Sequence, residues 1–314
     1  MEKSIKNNLL AFCIPTYNRS EILEEVLEDL ISKIKDYSFF ILISDNFSTD
    51  DTKVIVNKYM LKYEYIIYNQ QKENLGADKN IQSTLKLFKA NYYWLIGDSA
   101  CLKNKSLLPI LNFLTVENPD AYIINVSSRV KNLPSQLFVE REDLLLKLGW
   151  HMTQLPALIV SERIVNNNYF KRYENKSFFQ FGIIFEYLGL QEFIKVYWDD
   201  NDYINKPKTK KINTWYPNKA WEYFMKNWAD TVFSLPSSYS LETKIQCIKN
   251  HDKMTGIFSV KSLFYQKSAK AYSFKVFTKY KKYIKFSNSN LLICFLISIF
   301  PISVFLKKNI HSKQ

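Results

Sequence analysis

The chain has 314 residues, 47% of them hydrophobic and only 6 of them glycine, so it can bury a full core and lacks the composition of a disordered protein. Its four cysteines form no Cys-x-x-Cys pair and there are only three histidines, which argues against a Cys/His metal site and for reduced thiols. The net charge is +13, and residues 251–314 alone carry +11, so the basic character is local. The apolar run at 9–14 is too short for a signal-peptide core, so we expect no export.

From residue 9 to about residue 126, short apolar runs alternate with segments of helical periodicity. The apolar runs predict five strands, at 9–14, 39–44, 64–68, 92–96 and 121–126. Helices are predicted between them, the first over 20–34 with Ser20 as its N-cap. We expect Pro15 to end the first strand, because proline has no N–H for the hydrogen bonds of a central strand. This alternation predicts an α/β fold with a mostly parallel, doubly wound sheet.

Polar turns follow four of these strands, after residues 14, 44, 74 and 96. In open α/β sheets the ligand lies beyond the carboxyl ends of the strands, so we expect the turns to meet at one edge. They would bring together Thr16, Tyr17, Arg19, Asp45, Asn74 and Asp98. Neither Gly-x-Gly-x-x-Gly nor Gly-Lys-Ser/Thr is present, so side chains would have to hold a nucleotide, with Tyr17 stacking on its base. Asp98 has a simpler alternative role as the cap of a helix that begins near Asn104.

Four motifs in this half of the chain occur in a fixed order: Pro15–Arg19, Ser44–Asn46 with Ser48–Asp50, Asn74–Gly76 and Trp94–Asp98. Over roughly residues 8–125 their order and spacing resemble the family 2 glycosyltransferases of GT-A fold, of the bacterial surface-polysaccharide type. The resemblance implies a nucleotide-sugar donor, and we expect a glycan acceptor that is lipid-linked. It also implies a single in-line displacement that inverts the anomeric centre.

The resemblance further implies which residues bind the donor. Pro15, Thr16, Tyr17 and Arg19 belong to the first motif, and the last three of them lie near the nucleotide base. Asp45 forms a hydrogen bond to that base. The residues along the ribose, diphosphate and sugar are Asn74, Gly76, Asn80 and Asp98.

The resembled family usually carries Asp-x-Asp after its fourth strand, and those carboxylates hold Mg²⁺ or Mn²⁺ across the diphosphate. Here the triplet is Asp98-Ser99-Ala100, so Asp98 is the single metal ligand that the resemblance implies, and Ala100 supplies no oxygen. Three alternatives follow: a weakly held Mg²⁺ or Mn²⁺ at Asp98, which we prefer, stabilisation of the leaving group by Lys or Arg without a metal, and an inactive donor site.

The catalytic base is the second departure from the resembled family, in which a Glu-Asp pair opens a helix and its Asp deprotonates the acceptor hydroxyl. By distance from the predicted strand at 193–198, this pair falls on Phe179-Gln180, and a glutamine amide cannot take a proton. Four nearby carboxylates are candidates to replace it: Glu174, Glu186, Asp199 and Asp200. We prefer Asp199 and Glu174 as catalytic residues beside Asp98, the alternative being ordinary solvated acids.

Beyond residue 126 the sequence predicts helices at 140–148 and 178–191 and strands at 155–160 and 193–198. A helix opened by 216–218 carries aromatics at the spacing of a buried stripe, although Trp215 or Trp221 has an alternative role in stacking on a sugar. We expect four regions: a nucleotide-sugar-binding half at 1–126, an acceptor-side half at 127–215, a helical basic and aromatic extension at 216–286, and an apolar tail at 287–314.

Lysines alternate with aromatics through a predicted helix at 258–285, and an uncharged segment, 291–306, follows. Sixteen residues fall short of the ~20 that span a bilayer, and Pro301 disfavours a straight helix. We therefore expect these segments to lie on an anionic membrane, at the inner face of the cell membrane of a cytoplasmic protein. The alternative is a C-terminal helix packed on the core.

Two other functions are weighed against the enzyme. One is a non-catalytic partner that binds nucleotide sugars within a glycan assembly complex. The other is a basic nucleic-acid-binding protein, but no DNA- or RNA-binding module pattern accompanies the charge, so we expect no nucleic acid partner.

Overall fold

A computed structural model describes residues 8–166, 169–209 and 217–301 of the chain. The described part contains ten strands: β1 (Leu10–Thr16), β2 (Phe40–Asp45), β3 (Ile66–Gln70), β4 (Tyr92–Trp94), β5 (Cys101–Leu102), β6 (Ala121–Ile124), β7 (Gln136–Phe138), β8 (Leu158–Ser161), β9 (Val196–Asp199) and β10 (Ile204–Asn205). It also contains thirteen α-helices: α1 (Ser20–Ile34), α2 (Thr52–Met60), α3 (Ala77–Leu85), α4 (Leu108–Glu117), α5 (Arg141–Leu148), α6 (Glu162–Val165), α7 (Phe170–Tyr173), α8 (Phe179–Leu190), α9 (Trp228–Phe233), α10 (Leu241–Thr255), α11 (Val260–Ser268), α12 (Phe274–Ile284) and α13 (Leu291–Ile299).

Eight strands form one sheet in the order β3-β2-β1-β4-β8-β6-β9-β7, and β5 pairs with β10 in a small separate ladder. Four of the seven strand pairs in the large sheet are parallel, which confirms the predicted α/β fold with a mostly parallel sheet. Along the chain, the sheet grows from β1 first towards β3 and then, at β4, in the opposite direction. In such a sheet the ligand crevice opens beyond the carboxyl ends of the strands at this reversal.

The expectation that Pro15 leaves the sheet is wrong, because β1 continues through Pro15 to Thr16 and pairs there with β2. On the other side of β1, pairing with β4 extends only from Leu10 to Phe12. The carbonyl of Cys13 accepts from Gly97 N on the β4 side, and Pro15, two residues further on, faces the same way. The nitrogen of Pro15, which carries no hydrogen, therefore faces the side on which β4 is no longer paired with β1. The strand loses no hydrogen bond at this position.

The second half of the sheet departs from a purely parallel arrangement. β8, which realises the strand predicted at 155–160, runs antiparallel to both of its neighbours, β4 and β6, and β7 runs antiparallel to β9. All four residues of β8 are buried, as in a central parallel strand. Its apolar run therefore indicates burial on both faces but carries no information about strand direction.

The described part of the chain divides into two compact units, one within residues 1–144 and 151–211 and the other within residues 145–150 and 212–314. The first contains all ten strands with α1–α4 and α6–α8. Its core is built from strands whose apolar residues are fully buried, such as Phe12 in β1 and Trp94 in β4.

The second unit is helical and organised around Trp221, which begins a π-helical segment, Trp221–Asn227, leading into α9. The Trp221 ring stacks on Tyr272 with ring centroids 4.7 Å apart, and its Nε1 donates to Gln266 Oε1 at 2.8 Å. The buried stripe predicted for this helix is confirmed and a sugar-stacking role for Trp221 is wrong, because only 2% of the residue is exposed. Trp215 lies outside the described residues.

The predicted single helix at 258–285 consists of two helices, α11 and α12, separated at 269–273. The aromatics of this stretch are not all exposed, since Tyr272, Phe277 and Tyr280 belong to the buried core around Trp221. α13 buries Cys294 and Ile297 against the same core and leaves other apolar side chains exposed: Leu291, Leu292, Ile293, Leu296, Ile299 and Phe300. Within the described residues, we find no helix with the length and apolar character needed to cross a bilayer.

Candidate functional site

The carboxyl ends of β1 to β4 surround an open cavity of about 430 Å³. Eight of the nine predicted donor-binding residues line it: Pro15, Thr16, Tyr17, Arg19, Asn74, Gly76, Asn80 and Asp98. The prediction that the four polar turns meet at one edge of the sheet is therefore confirmed. Tyr17 is 42% exposed, which leaves its ring accessible to a flat ligand group.

The first two turns are tied to each other by hydrogen bonds between their side chains and backbones. Asn18 Oδ1 accepts from Thr49 N at 2.8 Å, while Asn18 N donates to Ser48 Oγ at 2.9 Å. Asp50 accepts from Ser20 N at 2.9 Å and from Thr52 N at 3.1 Å, at the starts of α1 and α2. The prediction that the Ser20 side chain caps α1 is thus wrong; the N–H of Ser20 is bound instead by a carboxylate from the next turn.

Asp45 is the predicted donor residue that does not line the cavity. It is fully buried at the end of β2, where Oδ1 accepts from Ser48 N at 2.8 Å and Oδ2 from the Tyr68 hydroxyl at 2.8 Å. Burial, reinforced by this bond, raises the pKa of Tyr68 above its usual value. In the structure Asp45 shapes the turn after β2, and its predicted hydrogen bond to the nucleotide base of a donor stays a prediction.

Asn46, the next residue, lines the cavity where Asp45 does not. Its Nδ2 donates to Asn74 Oδ1 at 2.8 Å and its Oδ1 accepts from Leu75 N at 2.8 Å, so it joins the second turn to the third. The sequence contained a signal for this role, because Asn46 belongs to the same motif as Asp45. Leu155 and Pro156 also line the cavity, and no motif marked them.

Asn80 projects from α3 into the floor of the cavity and is only 3% exposed. Its Nδ2 donates to the carbonyls of Ser44 at 2.9 Å and Thr16 at 3.2 Å, and its Oδ1 accepts from Ser44 Oγ at 2.8 Å. One amide side chain therefore joins the ends of β1 and β2 to α3. The N-terminus of α3, with Gly76 and Ala77, also faces the cavity and directs the positive end of its helix dipole there.

The turn after β4 brings Asp98 into the cavity. Gly97 has φ +71°, a left-handed conformation that strains other residues, and this turns the chain sharply between Ile96 and Asp98. Asp98 Oδ1 accepts from Arg19 Nη1 at 2.7 Å, and their side chains are 9% and 33% exposed. Arg19 was expected near the base and Asp98 at the sugar-phosphate end, yet the two form one ion pair.

The cavity offers few ligands for the divalent cation that the resemblance implies. Among the described residues Asp98 is the only carboxylate that lines it, one of its oxygens already binds Arg19, and the buried side chain of Ala100 has no oxygen to offer a metal. Among the residues that the structure describes there is no group of three or more His, Cys, Asp or Glu side chains able to hold a metal. These protein groups do not make up a site for Mg²⁺ or Mn²⁺.

The preferred catalytic bases lie outside the cavity lining. Asp199 is 4% exposed at the end of β9 and accepts from the Tyr122 hydroxyl at 2.6 Å and from Asn201 N at 2.9 Å. Glu174 is half-buried directly after α7. No finding tests either assignment, and both stay predictions.

At the position where the base was expected, Gln180 is buried in the first turn of α8 and its Nε2 donates to the Thr153 carbonyl at 3.2 Å. Glu186, on the same helix, is 2% exposed and binds Arg172 and the Tyr173 hydroxyl. These contacts give both side chains a structural role in holding α8.

The reversal of strand order with a polar cavity beyond it places the chain among α/β proteins that bind a ligand at the carboxyl edge of the sheet. The family model described as glycosyl transferase family 2 matches residues 11–183, more than half of the chain. The chain belongs to this family.

Relatives with curated descriptions agree with this assignment over part of the chain. The abequosyltransferase RfbV of Salmonella typhimurium is 38% identical over 108 residues, which cover 34% of this chain and 32% of the relative. The poly(ribitol-phosphate) beta-glucosyltransferase of Bacillus spizizenii is 25% identical over 138 residues, which cover 42% of this chain and 21% of the relative. The matched segments thus span a third or less of these relatives.

Solved structures extend the similarity of fold. The crystal structure of residues 1–349 of S. aureus TarS in complex with UDP-GlcNAc matches with a TM-score of 0.59 and 18% identity, covering 83% of this chain and 78% of that one. The mannosyltransferase PcManGT of Pyrobaculum calidifontis, in complex with GDP-Man and Mn²⁺, matches with a TM-score of 0.55 and 11% identity, covering 97% and 88%. At these identities the comparison establishes the fold alone.

Proposed function

We propose that this chain is a glycosyltransferase that moves a sugar from a nucleotide-sugar donor, bound in the cavity, to a glycan acceptor of bacterial surface polysaccharide. The observation that carries the proposal is the convergence of eight motif residues from four separate turns on one cavity. The named activities of RfbV and of the poly(ribitol-phosphate) glucosyltransferase support the reaction class, and the UDP-GlcNAc complex of TarS supports the donor class.

In the proposed arrangement the base of the donor stacks on the exposed ring of Tyr17. The ribose and diphosphate then run over Asn74, Gly76 and Asn80, past the N-terminus of α3, towards Asp98. The positive end of the helix dipole favours the negative charge of the diphosphate at this position. The donor lies beyond β1 and β4, where an open α/β sheet leaves its crevice.

The finer features of the reaction belong to the same proposal. Transfer inverts the anomeric centre in a single displacement, with Asp199 or Glu174 as the base for the acceptor hydroxyl. Regions 1–126 and 127–215 serve the donor and the acceptor, respectively. The acceptor is lipid-linked, and the protein works in the cytoplasm at the inner face of the membrane. The exposed lysines of α12 and the exposed apolar side chains of α13 support contact with anionic lipid.

The proposal is tested by measuring nucleotide release from a panel of UDP-, GDP-, CDP- and dTDP-sugars, with and without Mn²⁺, together with nucleotide binding by calorimetry. Tyr17→Ala is expected to weaken binding about tenfold, because loss of a base-stacking aromatic costs about 1–3 kcal/mol. Tyr17→Phe, which keeps the ring, retains affinity. Tyr265→Ala serves as the matched control, since Tyr265 is an exposed tyrosine that does not line the cavity.

Absence of binding and of release with every donor would refute the proposal. Binding without release from any donor would favour a non-catalytic partner that binds nucleotide sugars, a function with which the structural role of Gln180 at the expected base position agrees.

A further inference from the structure

We propose that Arg19 supplies the positive charge at the donor diphosphate that a divalent cation supplies in relatives, so that donor binding and sugar transfer proceed without a metal. This inference rests on the proposed function, because it names how the same cavity holds its donor and stabilises the leaving group.

The charge of the cavity is the first observation. Among the described residues that line it, Arg19 is the only one with a positive side chain, and Asp98 is the only one with a negative side chain. A nucleoside diphosphate brings at least two negative charges into this space. Besides the backbone N–H groups at the start of α3, Arg19 is the cationic side chain among the described lining residues that can offset part of this negative charge.

The position of Arg19 is the second observation. Its Nη1 lies 2.7 Å from Asp98 Oδ1, so the guanidinium is held at the carboxylate that would otherwise bind the metal. One carboxylate thus orients a permanent cation instead of coordinating an exchangeable one. A guanidinium has five N–H donors, and those not used by Asp98 remain available to phosphate oxygens in the bidentate geometry that arginine favours.

The triplet Asp98-Ser99-Ala100 is the third observation. Ala100 is buried and has no oxygen on its side chain, and Ser99 offers only a neutral hydroxyl at the cavity wall. The ligand set therefore lacks the second carboxylate that would hold a cation against competition from Arg19. The fixed guanidinium of Arg19 and the missing second carboxylate thus both favour a donor site that works without a metal.

In the transfer step the bond between the anomeric carbon and the β-phosphate oxygen breaks, and the nucleoside diphosphate leaves with the bonding electron pair. The acceptor oxygen forms the new bond to the anomeric carbon, and its proton passes to the carboxylate base. Negative charge grows on the diphosphate as the bond breaks. A guanidinium already in place stabilises this charge without reorganisation at the moment of reaction.

Calorimetric titration of the full chain with UDP, GDP, CDP and dTDP in EDTA tests the inference, with the corresponding nucleosides as uncharged probes. We expect at least one diphosphate to bind in EDTA, and Mn²⁺ to change its affinity less than about twofold. Arg19→Gln should weaken diphosphate binding about tenfold or more and leave nucleoside binding unchanged, while Arg19→Lys retains part of the affinity. Lys62→Gln is the control, since Lys62 is an exposed cation outside the cavity lining.

A gain-of-function variant keeps the test decisive if Arg19→Gln does not fold. Ser99→Asp places a second carboxylate at the cavity wall beside Asp98 and should make diphosphate affinity rise about tenfold with Mn²⁺. Ser99→Asn, of the same size without the charge, should give no response. A wild-type chain whose diphosphate affinity already rises tenfold with Mn²⁺, or an Arg19→Gln variant that folds and binds diphosphate normally, would overturn the inference.

Donor turnover separates this inference from the function on which it rests. Release from a nucleotide sugar at equal rates in EDTA and in Mn²⁺ supports both. Release that requires Mn²⁺ overturns the role of Arg19 and leaves the transferase proposal intact. If no donor is bound or cleaved under either condition, both fail.

Discussion

Replacement of Asn80 by aspartate tests how the floor of the cavity is held together. The substitution keeps the size of the side chain but exchanges an N–H₂ donor for a carboxylate oxygen. In the wild type this donor serves the carbonyls of Ser44 and Thr16 at 2.9 and 3.2 Å. In Asn80→Asp an oxygen would face both carbonyls, and at neutral pH it would carry negative charge in a buried position.

The cost follows from the bonds lost. Each of the two lost hydrogen bonds contributes about 1 kcal/mol net to stability. The two buried carbonyls would also be left without a donor, which adds a desolvation penalty of similar size. Asn80→Asp should therefore destabilise the chain by about 2–4 kcal/mol at pH 7. The introduced carboxyl has a raised pKa in the folded state, because its surroundings disfavour charge. Its protonated form can donate one bond again, so the loss of stability relative to the wild type should shrink as the pH falls from 7 towards 5.

Urea denaturation of both chains, followed by circular dichroism at pH 7 and pH 5, measures the effect. A loss of this size shifts the midpoint by about 1 M at the slopes usual for proteins of this kind. Asn69→Asp is the matched control, because Asn69 is exposed on β3, and it should change stability by less than about 0.5 kcal/mol. An Asn80→Asp variant as stable as Asn69→Asp at pH 7 would refute the role given to Asn80.

Two further predictions concern the pH dependence of stability and the membrane. Burial lowers the pKa of His151 to about 4, so the stability contributed by its neutral form is present above pH 6.5 and is lost as the pH falls towards 4, by about 3 kcal/mol in all. His151→Gln, which can still donate to the Ile124 carbonyl, should remove this part of the acid destabilisation, and an unchanged pH profile would contradict it. Leu292→Asp should reduce flotation with anionic phosphatidylglycerol vesicles several-fold, whereas Leu61→Asp, at a position 92% exposed, should not; equal flotation of both variants would argue against membrane contact through α13.

Local patterns in the sequence were sufficient to predict most of the first unit. The apolar runs of β1, β2 and β4 are short and bounded by turn residues, so their position and type follow from the residues themselves. Because parallel strands end on the same side, the predicted meeting of four turns also followed once the strands had been assigned. The four-part division into donor, acceptor, extension and tail regions stays a prediction.

Local patterns failed where the answer depends on a neighbour that is distant in sequence. Pro15 remains in β1 because β4 has diverged at that level, and no feature of Pro15 itself reports this. The alternation of lysine and tyrosine in α12 indicates a helix with two unlike faces. It does not say that Trp221, 59 residues before Tyr280, covers the aromatic face around Tyr280.

By itself, the sequence determined seven of the ten described strands, the turns after the first four of them along the chain and the set of polar residues delivered to one edge of the sheet, since backbone preference and hydrophobic period act over a few residues. Only the tertiary structure decided what those residues do. In the folded chain, Asp45 and Asn80 hold the backbone beneath the cavity through hydrogen bonds. Arg19 forms an ion pair with Asp98, which is 79 residues away in the sequence. The physical reason is that the energy of a buried polar group depends on its hydrogen-bond partners, and those partners meet only after the chain has folded.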